Sequence, residues 1–156
     1  MTTQLASLMR SSLSTDSTPL VPLEQEAQSV RDYLEIEQVR FGTRLRYDVQ
    51  IATDARPLLV PRLSVQTIVE NSVKYAVSTQ PDGASITISG CRENGRLHLT
   101  VTDDGPGFDV TTIPDGHGLT LIRSRLALLY EDDATLLVCS QKGRTTVDMN
   151  LPIDVP

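Results

Sequence analysis

Ile86-Thr-Ile-Ser-Gly-Cys-Arg-Glu-Asn-Gly-Arg-Leu-His-Leu-Thr-Val101 decides the architecture. Residues 86–88 and 97–101 alternate apolar with polar side chains, the period of a half-buried strand. Glu93, Asn94 and Gly95 mark a turn between them, and so short a join makes the strands antiparallel hairpin partners. Residues 135–139 and 146–151 repeat the pattern near the end of the chain. Strands that come in pairs do not alternate strictly with helices. They favour an α+β sandwich, with helices on one face of a mixed, mostly antiparallel sheet, over a doubly wound parallel sheet.

Working outward, residues 61–78 form a helical pattern that ends at the Pro81-Asp-Gly83 turn. A longer helix begins at Leu23, with Ala27, Val30, Leu34 and Glu37 on the same face and Tyr33, Ile36 and Val39 widening it. Gly42 is placed to stop it. Leu45, Tyr47, Val49 and Ile51 make a half-buried strand. Residues 53–61, with two prolines, read as a loop. A glycine-rich loop spans 103–118, and a third helix spans 119–130. At the start, Leu5 to Leu13 resemble the tail of a helix, and the Ser-, Thr- and Pro-rich residues 14–22 read as a linker. The expected division is therefore 1–22 as helix end and linker, and 23–156 as one domain.

A length of 156 residues fits one domain with its own core. The net charge of −6 excludes a nucleic-acid surface, which needs a basic stripe, but leaves room for a phosphate ligand held by local cations and backbone N–H groups. No apolar run approaches the ~20 residues that span a bilayer, and no signal segment opens the chain. Cys91 and Cys139 stand alone in strand-like runs and are expected to be buried, reduced thiols, which points to an intracellular compartment.

Two segments carry candidate chemistry. At 100° per residue the helix at 61–78 gathers Val65, Ile68, Val69, Ser72 and Ala76 on one side. Thr67, Glu70, Asn71, Lys74 and Ser78 fall on the other. The ordinary reading is a core helix with a solvated back. Its content argues for more: an amide and a carboxylate are hard ligands suited to Mg²⁺, and a lysine suits phosphate. The second segment is Val101-Thr-Asp-Asp-Gly-Pro-Gly-Phe108. Asp103 can accept a hydrogen bond from an exocyclic amine, and Gly105 and Gly107 let backbone approach a flat ring or a phosphate. Gly116-His-Gly118 then runs straight into a helix, whose amino end is a ready anion site.

Together, in this order and spacing, these pieces resemble the GHKL ATPase superfamily, which groups gyrase, the ninety-kilodalton heat-shock chaperone and histidine kinases. Val69-Glu-Asn-Ser-Val-Lys-Tyr75 looks like its N box. Asp103-Asp-Gly-Pro-Gly-Phe108 and Gly116-His-Gly-Leu119 look like its two glycine boxes. The finer similarity is to histidine kinases of the LytS type. It is carried by Val21-Pro-Leu-Glu-Gln-Glu26, Tyr33-Leu-Glu-Ile-Glu-Gln-Val-Arg-Phe-Gly42, Val60-Pro-Arg-Leu63 and Arg123-Ser-Arg-Leu126.

The resemblance implies the Bergerat fold, with ATP and Mg²⁺ as ligands. It gives Asn71 the metal, and Glu70 the role of general base or polariser of the acceptor. Asp103 would read the adenine amino group, with Gly105, Gly107 and Thr145 about the same pocket. Lys74 and Tyr75 would lie near the phosphates or sugar, and Gly116, His117, Gly118 and Leu119 would form a mobile lid over the triphosphate. The sequence departs from the family at Arg144, where Gly is usual, at Leu121, where the LytS type often has Asn, and at Tyr75, where it often has His.

The implied activity is transfer of the γ-phosphate of ATP to a histidine in an upstream helical hairpin, whose last residues would be 5–13. The implied partners are that dimerisation and phosphoacceptor domain, a response regulator and a second copy of the full-length protein. The implied place is the cytoplasmic side of a membrane-anchored sensor. His98 and His117, the only histidines, lack an acceptor's surroundings. Two other readings compete: a serine kinase of the anti-sigma type, against which the helix from Leu23 argues, and a degenerate nucleotide-binding interaction module, against which intact Glu70, Asn71, Asp103 and Gly107 argue.

Overall fold

The computed structural model describes residues 19–113 and 117–153. In chain order these form β1 (Leu20–Pro22), α1 (Leu23–Phe41), β2 (Leu45–Ile51), β3 (Leu59–Pro61), α2 (Ser64–Ser72), β4 (Ala84–Glu93), β5 (Arg96–Asp103), α3 (Gly118–Tyr130), β6 (Thr135–Gln141) and β7 (Arg144–Pro152). A π-turn, Val73–Val77, continues α2, with Ser78 N–H donating to the Val73 carbonyl at 3.0 Å.

Five strands make one sheet in the order β2-β4-β5-β7-β6. Only the β2–β4 pair is parallel. The β4–β5 hairpin turns through Asn94 and Gly95, both at positive φ (54° and 73°), the geometry that lets a two-residue loop follow the twist of its strands.

Alternation then sorts the two faces. Ile86 and Ile88 of β4, Leu97, Leu99 and Val101 of β5, and Val147, Met149 and Leu151 of β7 are buried. They share one core with Leu23, Val30 and Leu34 of α1, Val65, Ile68 and Val69 of α2, and Leu119, Ile122 and Leu126 of α3. The other face carries polar residues, among them Thr100, whose hydroxyl donates to Asp148 Oδ1 at 2.7 Å. Every apolar helix stripe is thus spent on one side of the sheet.

Four expectations need correction. Residues 20–22 are not linker: Val21 is buried, and β1 pairs antiparallel with β3, Val21 opposite Val60. The earlier part of that linker and the expected helix end at 5–13 lie outside the described residues. Residues 59–61, read as loop, are strand, so the second helix starts at Ser64 and not at Pro61; Leu63, at φ 66°, separates the two. Val39 is 89% exposed, because it lies 200° around α1 from Glu37 and so faces away from the core. Cys91 and Cys139 are exposed, since each falls on the polar parity of its strand.

Candidate functional site

The apolar stripe of α2 faces the sheet: Val65, Ile68, Val69, Ser72 and Ala76 are all buried. The next flank of the helix forms one wall of a pocket. The ends of β5 and β7, the loop after β5 and the start of α3 close the rest. Asn71, Tyr75, Asp103, Gly107, His117 and Thr145 are among the residues lining it. Segments far apart in sequence therefore meet at one pocket.

Asp103, the last residue of β5, is buried and pairs across the ladder with Thr145 of β7, so both point to the helix side. Its Oδ1 accepts Gly105 N–H at 3.0 Å. Burial raises the Asp103 carboxyl above the ordinary range, while that N–H and a hydrogen bond from Ser72 pull it back. The loop then crosses α2 so closely that a Cβ on Gly105 would stand 2.4 Å from the Ala76 Cβ. At Gly107, φ is +81° and a Cβ would meet the Gln141 carbonyl oxygen at 2.5 Å, so only glycine fits. Phe108 N–H donates to Ser140 Oγ at 2.9 Å, and Ser140 Oγ lies 2.7 Å from Thr145 Oγ1. The β6–β7 hairpin thus holds the glycine loop.

Asn71 is half-buried, and among the described residues its buried Nδ2 has no hydrogen-bond partner. Buried amides are normally satisfied, so a free one on a pocket wall marks a place for a ligand. Tyr75 stacks on His117 with ring centroids 5.6 Å apart and planes at 19°, and Phe108 tilts against Tyr75 at 6.3 Å. Lys74 is exposed, and its Nζ lies 5.2 Å from the Tyr75 ring centre. His117 caps α3: its Nδ1 accepts Leu119 N–H at 3.1 Å. Burial, helped by the Lys74 charge, holds its imidazole below the ordinary value, in the neutral form the cap requires.

Of the expected residues, Lys74, Gly105 and Gly118 are not among those lining the pocket, and neither is Glu70. It precedes Asn71 but lies near enough to Tyr33 and Glu37 of α1 for their charges to interact, and Gln66, one turn back on α2, donates through Nε2 to its Oε1 at 3.5 Å. Though exposed, it is crowded enough for desolvation to raise its carboxyl, and the Glu37 charge adds to this. Gly116 lies outside the described residues. Sequence reasoning missed Ser140, whose partner Phe108 is 32 positions away, and Glu26, a buried carboxylate at the amino end of α2. Spacing within one element could have shown neither. No helix among the described residues is long and apolar enough to cross a membrane.

A one-faced α/β sandwich with a pocket at the ends of its strands, under a glycine loop, describes an ATPase domain of the Bergerat type. Residues 61–155 match the family of histidine kinase-, DNA gyrase B- and HSP90-like ATPases, and residues 1–45 match the histidine kinase family. The chain belongs to the histidine kinase-, DNA gyrase B- and HSP90-like ATPase family, and its relatives place it beside sensor histidine kinases of the LytS type. It is 30% identical over 131 residues to the sensor histidine kinase YesM of Bacillus subtilis, covering 81% of this chain and 23% of that protein. To the sensor protein LytS of Staphylococcus haemolyticus it is 30% identical over 161 residues, covering 96% and 28%. The fold superimposes on the histidine kinase AdeS of Acinetobacter baumannii with a TM-score of 0.68 at 13% identity, covering 98% and 77%. The chain spans about a quarter of the length of these curated relatives.

Proposed function

We propose that this chain binds ATP with Mg²⁺ in the pocket between α2 and the glycine loop, and transfers the γ-phosphoryl group to a histidine on a helical segment upstream. The observation that carries this is the partnerless amide of Asn71 sharing one pocket with buried Asp103 and Thr145. Asp103 receives the adenine amino group at the closed end of the pocket, with Thr145 beside it. Tyr75 and Lys74 lie toward the sugar and phosphates, near the amino end of α3, where the helix dipole favours negative charge.

The donor set suits Mg²⁺. A flip of the Asn71 amide presents Oδ1, a hard oxygen, and Mg²⁺ takes few protein ligands when phosphates supply the rest. Among the described residues no three His, Cys, Asp or Glu side chains gather into a competing metal cage. Bound there, the ion would offset charge on the phosphate oxygens. Glu70, on the α1 side of α2, stands outside the pocket where an incoming imidazole would approach, and a carboxyl raised by crowding suits it to take up a proton.

In this reading residues 1–22 end the dimerisation hairpin and lead into the domain, although β1 already belongs to the domain's fabric. The wider assignment is a dimeric sensor, anchored in a membrane with this domain in the cytoplasm, that passes its phosphoryl group to a response regulator. Titration with a fluorescent ATP analogue, with and without Mg²⁺, tests the core of the proposal. Saturable binding tightened by Mg²⁺ is expected, and Asn71→Ala should remove the Mg²⁺-dependent part. Binding indifferent to Mg²⁺ in the wild type would refute the assignment.

A further inference from the structure

Glu26, in the first turn of α1, is a carboxylate that the pocket does not use, yet it is only 2% exposed. Its Oε1 accepts Leu63 N–H at 3.1 Å, and its Oε2 accepts Val65 and Gln66 N–H at 3.0 and 3.2 Å. These are free donors at the amino end of α2. Leu63, at φ 66°, gives α2 no side-chain cap. A side chain from another helix supplies it.

Arg125 of α3 converges on the same spot. It donates through Nη1 to the Arg62 carbonyl and through Nη2 to the Pro19 carbonyl, the latter at 3.3 Å. Arg62 N–H in turn donates to that Pro19 carbonyl at 2.9 Å. α3 runs along α2 from this point to the pocket. At its other end a Cβ on Gly118 would stand 2.8 Å from Thr67 Cγ2, and Leu119 lines the pocket. Gly118 and Arg125 are seven residues apart, about 10 Å along a helix at its usual rise. One rigid helix therefore touches the Asn71 wall at one end and the entry of the upstream chain at the other.

We propose that Glu26 and Arg125 are positioning residues for nucleotide binding: they fix the amino end of α2 and tie it, through α3, to Pro19, where the upstream segment enters the domain. The proposal rests on the ATP-binding reading and adds its regulation. Whatever shifts the chain at Pro19 changes nucleotide affinity, and nucleotide must act back on the Pro19 junction to the same extent. The three LytS-type signatures around Glu26, Leu63 and Arg125 thereby acquire one physical purpose.

The test compares the wild type with Glu26→Gln, Arg125→Gln, Arg125→Lys and the control Arg123→Gln. Arg123 sits on the same helix but bonds the Leu136 carbonyl at 3.0 Å. Affinity for a fluorescent ATP analogue with Mg²⁺ and amide exchange at residues 63–66 are measured on each. Glu26→Gln and Arg125→Gln should weaken binding by about fivefold or more, the lower range of coupling between sites. Arg125→Lys should recover part of the loss, and Arg123→Gln should change little. In the wild type, nucleotide should slow exchange at residues 63–66, and Arg125→Gln should abolish that response. Should Glu26→Gln fail to fold, half-buried Arg125 decides the matter. Wild-type binding that both Gln variants retain in full, or residues 63–66 indifferent to nucleotide, overturns the positioning role alone. No binding by the wild type overturns the ATP-binding function first.

Discussion

Asp103 is the one carboxylate lining the pocket among the described residues. Its environment is built: Gly105 and Ser72 hold it, and Thr145 stands beside it. Asp103→Ala should therefore abolish binding of the fluorescent ATP analogue, leaving the adenine amino group without an acceptor; unchanged affinity would place the pocket elsewhere. Gly107→Ala should destabilise the fold by about 1 to 3 kcal/mol, the usual cost of a forced backbone conformation, seen as a lower thermal midpoint. A midpoint equal to that of the wild type would mean the loop can leave Gln141 freely. At this scale Asp103, Asn71 and Gly107 were legible as residues that would share one pocket, since each belongs to a short motif of recognisable type and spacing. Ser140 and Glu26 were not. Their partners lie 32 and 37–40 positions away, and only the folded chain brings them together.

The element most exposed to its conditions is the start of α3. His117 Nδ1 accepts Leu119 N–H, so the cap exists only while the imidazole is neutral. The folded pKa lies below the ordinary 6.5, with burial the main cause and Lys74 the second. Between the folded and unfolded values the unfolded chain binds more protons, so stability falls as pH drops below about 6.5 and is kept above it. An NMR titration should find His117 protonating below the ordinary histidine range, with Leu119 N–H exchange quickening over the same interval. A pKa at or above 6.5 would refute the cap.

Among elements, the Asn-Gly hairpin, α1 and the strand pairs were readable because their periods run for several residues. β1 and β3 were not, since three residues hold no period and both contain proline. The exposed cysteines were misjudged because strand-like surroundings show that a residue alternates, not which parity faces the core.

Across the whole molecule the sheet separates what must react from what cannot. His98 lies on β5 between β4 and β7, opposite Cys91 on the polar face, with Nδ1 3.7 Å from Glu93. The pocket lies on the other face, and a strand paired on both sides cannot carry His98 there. His117 is at the pocket, but its Nδ1 caps α3 and its ring stacks on Tyr75. An in-line attack on the γ-phosphate needs a free imidazole nitrogen held along the line of the breaking bond. This chain alone should therefore bind ATP without stably phosphorylating itself. Supplied in trans with the helical hairpin of a LytS-type sensor, it should label that hairpin's histidine, slowly, because separate molecules lack the effective concentration a linker gives. Incubation with γ-labelled ATP decides this. Acid-labile label on this chain by itself, lost in His117→Ala, would make His117 an acceptor and overturn the separation of acceptor from catalytic domain.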